Sequence, residues 1–132
     1  MSTAQPQFVF ENLAPAPSAL PGIHHVTLAG SHQGLRQLSV WQQVLEPGAA
    51  TPPHRHDCEE VVLCTAGRGE LRIDGQPSQA FGADTTLRLP PQVLHEIVNA
   101  GGEPLHMVAV FSETPVAAYL PDGEAIDLPW HT

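Results

Sequence analysis

The chain has 132 residues, enough for one domain with a buried core and too few for two domains of ordinary size. Fourteen acidic residues against five basic ones give a formal net charge of −9, so no nucleic-acid partner is expected. All five basic residues are arginine, which excludes Schiff-base chemistry on lysine and a P-loop lysine. No apolar run approaches the roughly 20 residues of a membrane helix, so no membrane partner is expected either.

The first part of the chain, residues 1–22, is rich in proline and alanine and is predicted to form an extended N-terminal arm. We expect this arm either to wrap around a neighbour or to be partly loose. The start of the chain lacks the basic residues and the apolar stretch of a secretory signal, so a cytoplasmic location is expected. Cys58 and Cys64 lie six residues apart on one segment, where a disulfide is geometrically awkward, so both are expected to be free thiols.

Residues 23–132 are predicted to be one β domain that ends in a docking segment after its last strand. Short strand-like segments alternate with turns that contain Gly, Pro and Asp, and no stretch has a sustained helical period. Asp74-Gly75 is typical of a type I′ hairpin turn. The pattern indicates an antiparallel sandwich or barrel. The predicted strands cover residues 23–28, 35–45, 60–65, 70–73, 79–81, 85–89, 94–99 and 105–111.

Four residues of metal-binding types stand out between and within these strands. His54 and His56 are two apart, so on a strand both imidazoles lie on one face, and Glu60 keeps that parity. His95 follows at the start of a later strand. Imidazole and carboxylate ligands suit iron, manganese, nickel, copper or zinc better than calcium or magnesium. The spacing therefore predicts a divalent metal ion bound by His54, His56, Glu60 and His95.

The segment Gly48–Gly67, GAATPPHRHDCEEVVLCTAG, resembles the first motif of the cupin superfamily at every defining position. The segment Pro90–Asn99, PPQVLHEIVN, approaches the second motif, with the proline, histidine and asparagine at the expected separations. Gln92 stands where that motif usually has glycine, and its leading glycine is either Gly82, two residues early, or is replaced by Ala83. The resemblance implies an all-β, single-domain (monocupin) double-stranded β-helix, or jelly roll, that forms a homodimer.

The resemblance also implies that the metal lies inside one end of the barrel, with about two coordination sites open to a cavity. We expect a metal-dependent oxygenase of the dioxygenase type, in which iron binds a small organic substrate, with manganese, nickel, copper or zinc as alternative metals. Glu60 would be its catalytic group, by leaving the metal or by accepting a proton. The alternatives are a non-redox lyase or isomerase and a small-ligand binding or sensing protein without turnover. The residues expected to line the substrate pocket are Arg36, Trp41, Gln43, His106, Met107 and Phe111.

Overall fold

The computed structural model describes residues 6–132, so the first five residues of the predicted arm lie outside the described residues. The described part forms two antiparallel sheets, as the sequence predicted for a jelly roll. None of its helical segments is long and apolar enough to cross a membrane. The strands are β1 (Ala16–Pro17), β2 (Ile23–Ala29), β3 (Ser39–Leu45), β4 (Glu60–Ala66), β5 (Arg68–Ile73), β6 (Gln79–Gly82), β7 (Thr85–Leu89), β8 (His95–Asn99) and β9 (Leu105–Phe111).

The larger sheet has the strand order β1-β2-β3-β9-β4-β7, and the smaller sheet has the order β6-β5-β8. Burial alternates along the strands, because successive side chains of a strand point to opposite faces. In β4, Val62 and Cys64 are buried whereas Val61 and Leu63 are exposed. In β9, the residue in every second position from Leu105 onward is buried. The inward-facing side chains of both sheets form one hydrophobic core.

The strand that the sequence predicted over residues 35–45 starts only at Ser39. A 3-10 turn, Ser31–Gln33, follows β2 and ends at Gly34, which has a left-handed φ of 86°. The next residues form a surface loop, in which Leu35 and Leu38 are exposed. The predicted start of the strand at residue 35 was therefore wrong, because the apolar residues of this stretch do not pack against the core.

The turn at Asp74-Gly75 leads from β5 toward β6, and the Gln76 amide donates to the Ile73 carbonyl oxygen over 3.0 Å. Gly75 has a φ of 75°, but Asp74 is not one of the non-glycine residues with positive φ. A type I′ turn requires positive φ at both central residues, so the prediction of that type was wrong. Positive φ only at the second central position is the pattern of a type II turn.

Both cysteines are free and buried, with Cys58 7% and Cys64 2% exposed. Burial, together with the nearby charge of Glu113, raises the pKa of Cys58 to about 12, and burial also raises the pKa of Cys64. Since the thiolate is the reactive form, iodoacetamide at neutral pH should modify neither thiol of the folded protein and both thiols in denaturant. Mass spectrometry measures the labelling, and fast modification of either thiol under native conditions would contradict this prediction.

Candidate metal centre and cavity

The structure brings the four predicted metal ligands together at one end of the barrel. His54 and His56 lie between β3 and β4, while Glu60 opens β4 and His95 opens β8. Although the His54–His56 segment is not part of a longer strand, an antiparallel bridge pairs His54 with His95. The amide of each of these two residues donates to the carbonyl oxygen of the other, over 3.0 and 2.9 Å. This bridge holds the segment extended, so the alternation expected for a strand still applies.

We call His54, His56, Glu60 and His95 the ligand cluster. The Nε2 atoms of His56 and His95 each lie 3.5 Å from Oε1 of Glu60. One ring nitrogen from each of the three histidines lies within 4.8 Å of the corresponding nitrogens of the others. His56, Glu60 and His95 are only 4%, 6% and 3% exposed. Three imidazoles and one carboxylate thus converge in a space largely closed to bulk solvent.

Backbone carbonyl groups determine the tautomers of the three histidines. Each Nδ1 lies at hydrogen-bond distance from a carbonyl oxygen, which can only accept, so each neutral ring carries its proton on Nδ1. Each Nε2 therefore presents a lone pair to the ligand cluster. The Nδ1 bonds run from His54 to Pro52 (2.7 Å), from His56 to Ala117 (2.8 Å) and from His95 to Val93 (2.9 Å).

These donor atoms fit a divalent cation. Among the described residues, Nε2 of His56, Nε2 of His95 and Oε1 of Glu60 are buried without a hydrogen-bond partner. Buried polar atoms without a partner are costly, at about 1–3 kcal/mol each, and a cation would satisfy all of these lone pairs at once. Imidazole nitrogen and carboxylate oxygen together suit zinc, iron, manganese, nickel or copper. The residues therefore fit the divalent metal that the sequence predicted.

The electrostatics keep two of the imidazoles neutral at physiological pH. Burial, followed by the nearby charges of His95 and His56, lowers the pKa of His54 to about 4. Burial also lowers the pKa of His56, in spite of the opposing charge of Glu60. Burial acts in the same direction on His95, but the nearby carboxylate of Glu60 outweighs it and raises the pKa of His95 overall. Neutral imidazole is the form that binds metals.

A cavity of about 230 Å³ opens from the ligand cluster into the barrel. Phe111 packs edge-on against His56 with ring centroids 5.0 Å apart, and Trp41 lies 4.3 Å from Phe111 and 5.3 Å from Trp130. We call Trp41, Phe111 and Trp130 the aromatic wall. The other lining residues are Ala19, Leu20, Ile23, Gln43, Thr51, Pro52, Val62, Ile97, Met107, Ala109, Ala118, Ile126, Asp127, Leu128 and Pro129.

Four of the six residues expected to line the pocket do line this cavity, and two do not. The four are Trp41, Gln43, Met107 and Phe111. Arg36 lies in the exposed loop before β3, which the sequence had assigned to the strand. His106 neighbours Met107 on β9 and therefore points to the opposite, outer face of the sheet.

Sequence reasoning missed the contribution of the C-terminal segment to the cavity, which includes Trp130. It also assigned no role to His25. The imidazole of His25 stacks on Trp130 with centroids 3.9 Å apart and meets Trp41 edge-on at 5.2 Å. The alternation of β2 could have located His25, because it shares the inward parity of Ile23. Trp130 gave no such signal, since it lies outside any periodic segment.

Gln92 shows why the second motif usually has glycine. Its φ is 67°, in the left-handed region that glycine enters most easily, and its amide donates to the carbonyl oxygen of His56 over 2.7 Å. Gln92 adopts this conformation although it is not glycine. Its hydrogen bond joins the loop before His95 to the segment that carries His56. The departure from the motif therefore changes the residue but keeps the left-handed backbone conformation that glycine favours.

His25 should make the protein less stable in mild acid. Burial, followed by the charge of His131, lowers the pKa of His25 to about 4, from 6.5 in an unfolded chain. Between pH 6.5 and 4 the unfolded state therefore binds the extra proton, and the free energy of unfolding falls as the pH falls. The loss from this group reaches about 3 kcal/mol. Denaturant unfolding of metal-free wild type and His25→Asn across this range should show the steeper decline in wild type, whereas parallel profiles would contradict it.

A model of the auxin-binding protein family matches residues 9–130. Auxin-binding protein 1 of Arabidopsis thaliana is 33% identical over 109 residues, which cover 76% of this chain and 55% of that protein. Auxin-binding protein T85 of Nicotiana tabacum is 33% identical over 112 residues, which cover 76% of this chain and 60% of that protein. The chain thus spans little more than half the length of these curated relatives.

Solved structures agree on the fold. A sugar phosphate isomerase of the cupin superfamily from Silicibacter pomeroyi superposes with a TM-score of 0.67 and 30% identity, over 79% of this chain and 68% of that chain. An oxalate oxidase superposes with a TM-score of 0.74 over 86% of this chain and 63% of that chain, and its 20% identity shows the fold alone. With the family match over nearly its whole length, the chain belongs to the auxin-binding protein family, within the cupin superfamily.

Proposed function

We propose that this protein binds a small aromatic carboxylate, held at one end by a divalent cation on the ligand cluster. The observation that carries the proposal is the division of the cavity into two parts. The ring nitrogens of three imidazoles converge at one place, with the Glu60 carboxylate 3.5 Å from two of them, whereas the aromatic wall and aliphatic side chains surround most of the remaining space. When bound, a divalent cation there supplies a positive centre for an anion. The apolar surroundings strengthen that attraction.

The size of the cavity supports a ligand with a ring. An apolar protein cavity of about 150 Å³ is known to bind benzene. The cavity in this protein measures about 230 Å³, which gives room for a larger ring or for a ring with an acid side chain. Relatives that carry the name auxin-binding protein are consistent with a small-molecule ligand.

The cavity suits a carboxylate better than a phosphorylated sugar. Phosphate groups are usually held by arginine or lysine. No lining residue within residues 6–132 is an arginine, and the sequence contains no lysine. The aromatic wall also offers few partners for the many hydroxyl groups of a sugar. A sugar phosphate isomerase activity, which one similar structure carries in its name, is therefore not proposed for this chain.

Calorimetry with indoleacetate tests the proposal. The zinc-loaded wild type should bind indoleacetate, while the metal-free protein should bind it at least tenfold more weakly. Indoleacetamide has the same ring and nearly the same shape but no charge, so it should bind weakly to both forms. Equal affinity for the acid and the amide, or an affinity for the acid that does not depend on metal, would sink the proposal.

An oxygenase is the second candidate, because the donor set does not restrict the site to a redox-inert metal. Three imidazoles and one carboxylate suit iron and manganese as well as zinc, so the ligand cluster is compatible with a redox metal. Glu60, whose Oε1 lies 3.5 Å from two imidazole nitrogens, would then be the group that accepts a proton. Oxygen uptake by the iron-loaded protein with bound carboxylate would favour an oxygenase over a binding protein. Binding without oxygen uptake or product would support a binding protein.

A further inference from the structure

A chain of hydrogen bonds runs from the C-terminal segment to the cavity through three buried or half-buried side chains. Oγ1 of Thr27 donates to the carbonyl oxygen of His131 over 2.7 Å. Nε2 of His25 lies 2.8 Å from the same Oγ1. Nδ1 of His25 lies 3.0 Å from Nε2 of Gln43, a residue that lines the cavity. We call these bonds the Thr27 relay.

The order of donors and acceptors along the Thr27 relay follows from its first bond. A carbonyl oxygen can only accept, so Thr27 donates its single hydroxyl hydrogen to the carbonyl oxygen of His131. Oγ1 of Thr27 can then only accept from His25, which places the imidazole proton on Nε2. Burial and the charge of His131 lower the pKa of His25 to about 4, so the ring is neutral at physiological pH.

A neutral His25 with its proton on Nε2 has only a lone pair on Nδ1. It must therefore receive a hydrogen bond there, and the NH₂ group of Gln43 is its partner. The aromatic wall holds the imidazole in place, with Trp130 stacked on its face at an interplanar angle of 12° and Trp41 edge-on. The amide of Gln43 consequently cannot turn over without losing a hydrogen bond.

We propose that the Thr27 relay makes the Gln43 Oε1 atom a fixed hydrogen-bond acceptor in the cavity wall, so the bound carboxylate carries an N–H or O–H donor directed at it. This inference rests on the proposed function, which accounts for the acid group of the ligand. It adds a second polar group on the same ligand. Among the described residues, Oε1 of Gln43 makes no hydrogen bond of its own. Gln43 pairs with Met107, whereas Glu60 pairs with Phe111, so the acceptor and the ligand cluster face different parts of a ligand.

Matched pairs of ligands test this selection on the zinc-loaded protein. The probes are indoleacetate and para-hydroxyphenylacetate, each beside a counterpart without the donor hydrogen, namely N-methylindoleacetate, benzothiopheneacetate and para-methoxyphenylacetate. In wild type, at least one donor ligand should bind about tenfold or more tightly than its counterparts, since a missing partner leaves the amide oxygen desolvated. Equal affinities within every pair would overturn the inference.

Thr27→Val and Thr27→Ser separate the relay from a merely structural effect. Thr27 does not line the cavity, and Val keeps its shape while removing the hydroxyl. In Thr27→Val the imidazole proton is free to move to Nδ1 and the Gln43 amide to turn over, so the preference within a pair should fall to near one. Thr27→Ser restores the hydroxyl and should restore the preference. A preference in Thr27→Val as large as in wild type would overturn the role of the relay.

Nitrogen-15 NMR of the imidazole of His25 gives a readout that needs no ligand. In wild type and Thr27→Ser it should show a neutral ring with its proton on Nε2, and a proton on Nδ1 in wild type would overturn the inference directly. If the tautomer is as expected but no carboxylate binds the zinc-loaded protein, the proposed function fails and the selection of a donor falls with it. The two failures are therefore distinguishable.

Discussion

His95→Ala should purify with little bound metal while keeping the fold of wild type. The substitution removes one of the four side chains of the ligand cluster, so the affinity for metal should fall by more than the roughly 10- to 100-fold typical of changes to the residues that only orient a ligand. The fold should survive because the backbone pairing of His54 with His95 does not involve the imidazole. Elemental analysis of protein purified without an affinity tag or chelator measures the metal, and circular dichroism follows the fold.

His106→Ala is the matched control for this experiment. His106 is also a strand histidine, but it lies on the outer face of β9 and does not line the cavity. It should retain the metal content of wild type. If His95→Ala and His106→Ala both carried as much metal as wild type, the ligand cluster would not be a metal site. Loss of metal in both variants would instead indicate metal held at the protein surface.

Gly67→Ala should lower the free energy of unfolding by about 3 kcal/mol. Gly67 forms the tight turn between β4 and β5 with a φ of 91°. A Cβ atom there would lie 2.6 Å from the carbonyl oxygen of Pro104 and 2.9 Å from Cα of Leu105. Both are backbone atoms of the segment that leads into β9, so neither can move aside without shifting that strand. Urea unfolding of wild type and variant measures the loss.

Gly75→Ala separates the two causes of that loss, which are the positive φ and the close approach of the added Cβ atom to the backbone. Gly75 also has a positive φ, of 75°, but a Cβ atom there would meet nothing within 4 Å. Its substitution should therefore cost only the conformational part, about 1 kcal/mol. Equal losses in Gly67→Ala and Gly75→Ala would show that the close approach to Pro104 is not what destabilises the first variant.

The strands were predictable from sequence because their signals are local. Alternating apolar residues between Gly, Pro and Asp turns locate β4, β7 and β9 almost to the residue. The predicted strand was wrong where apolar residues have no tertiary partner, as at Leu35 and Leu38, since composition cannot show that a leucine stays on the surface. Details of turns, such as the φ of Asp74, also depend on how the two strands meet.

The candidate site was only partly predictable, for a similar reason. His54, His56 and Glu60 lie on one short segment, so their spacing already indicates a common face. His95 could be added because it occupies a recognisable motif. Trp130 lies on a segment without periodic structure, and only the folded chain shows that it packs on His25 and closes the aromatic wall.

All three imidazoles of the ligand cluster are oriented by main-chain carbonyl groups, and this has an evolutionary consequence. In many metal proteins the carboxylate side chain of another residue orients a ligating histidine, and a single mutation can remove that carboxylate. Here the carbonyl groups belong to residues 52, 93 and 117, and they persist whatever side chains those positions carry. Mutations can therefore diversify the cavity wall, and with it the choice of ligand, while the orientation of the three imidazoles of the ligand cluster is inherited with the fold.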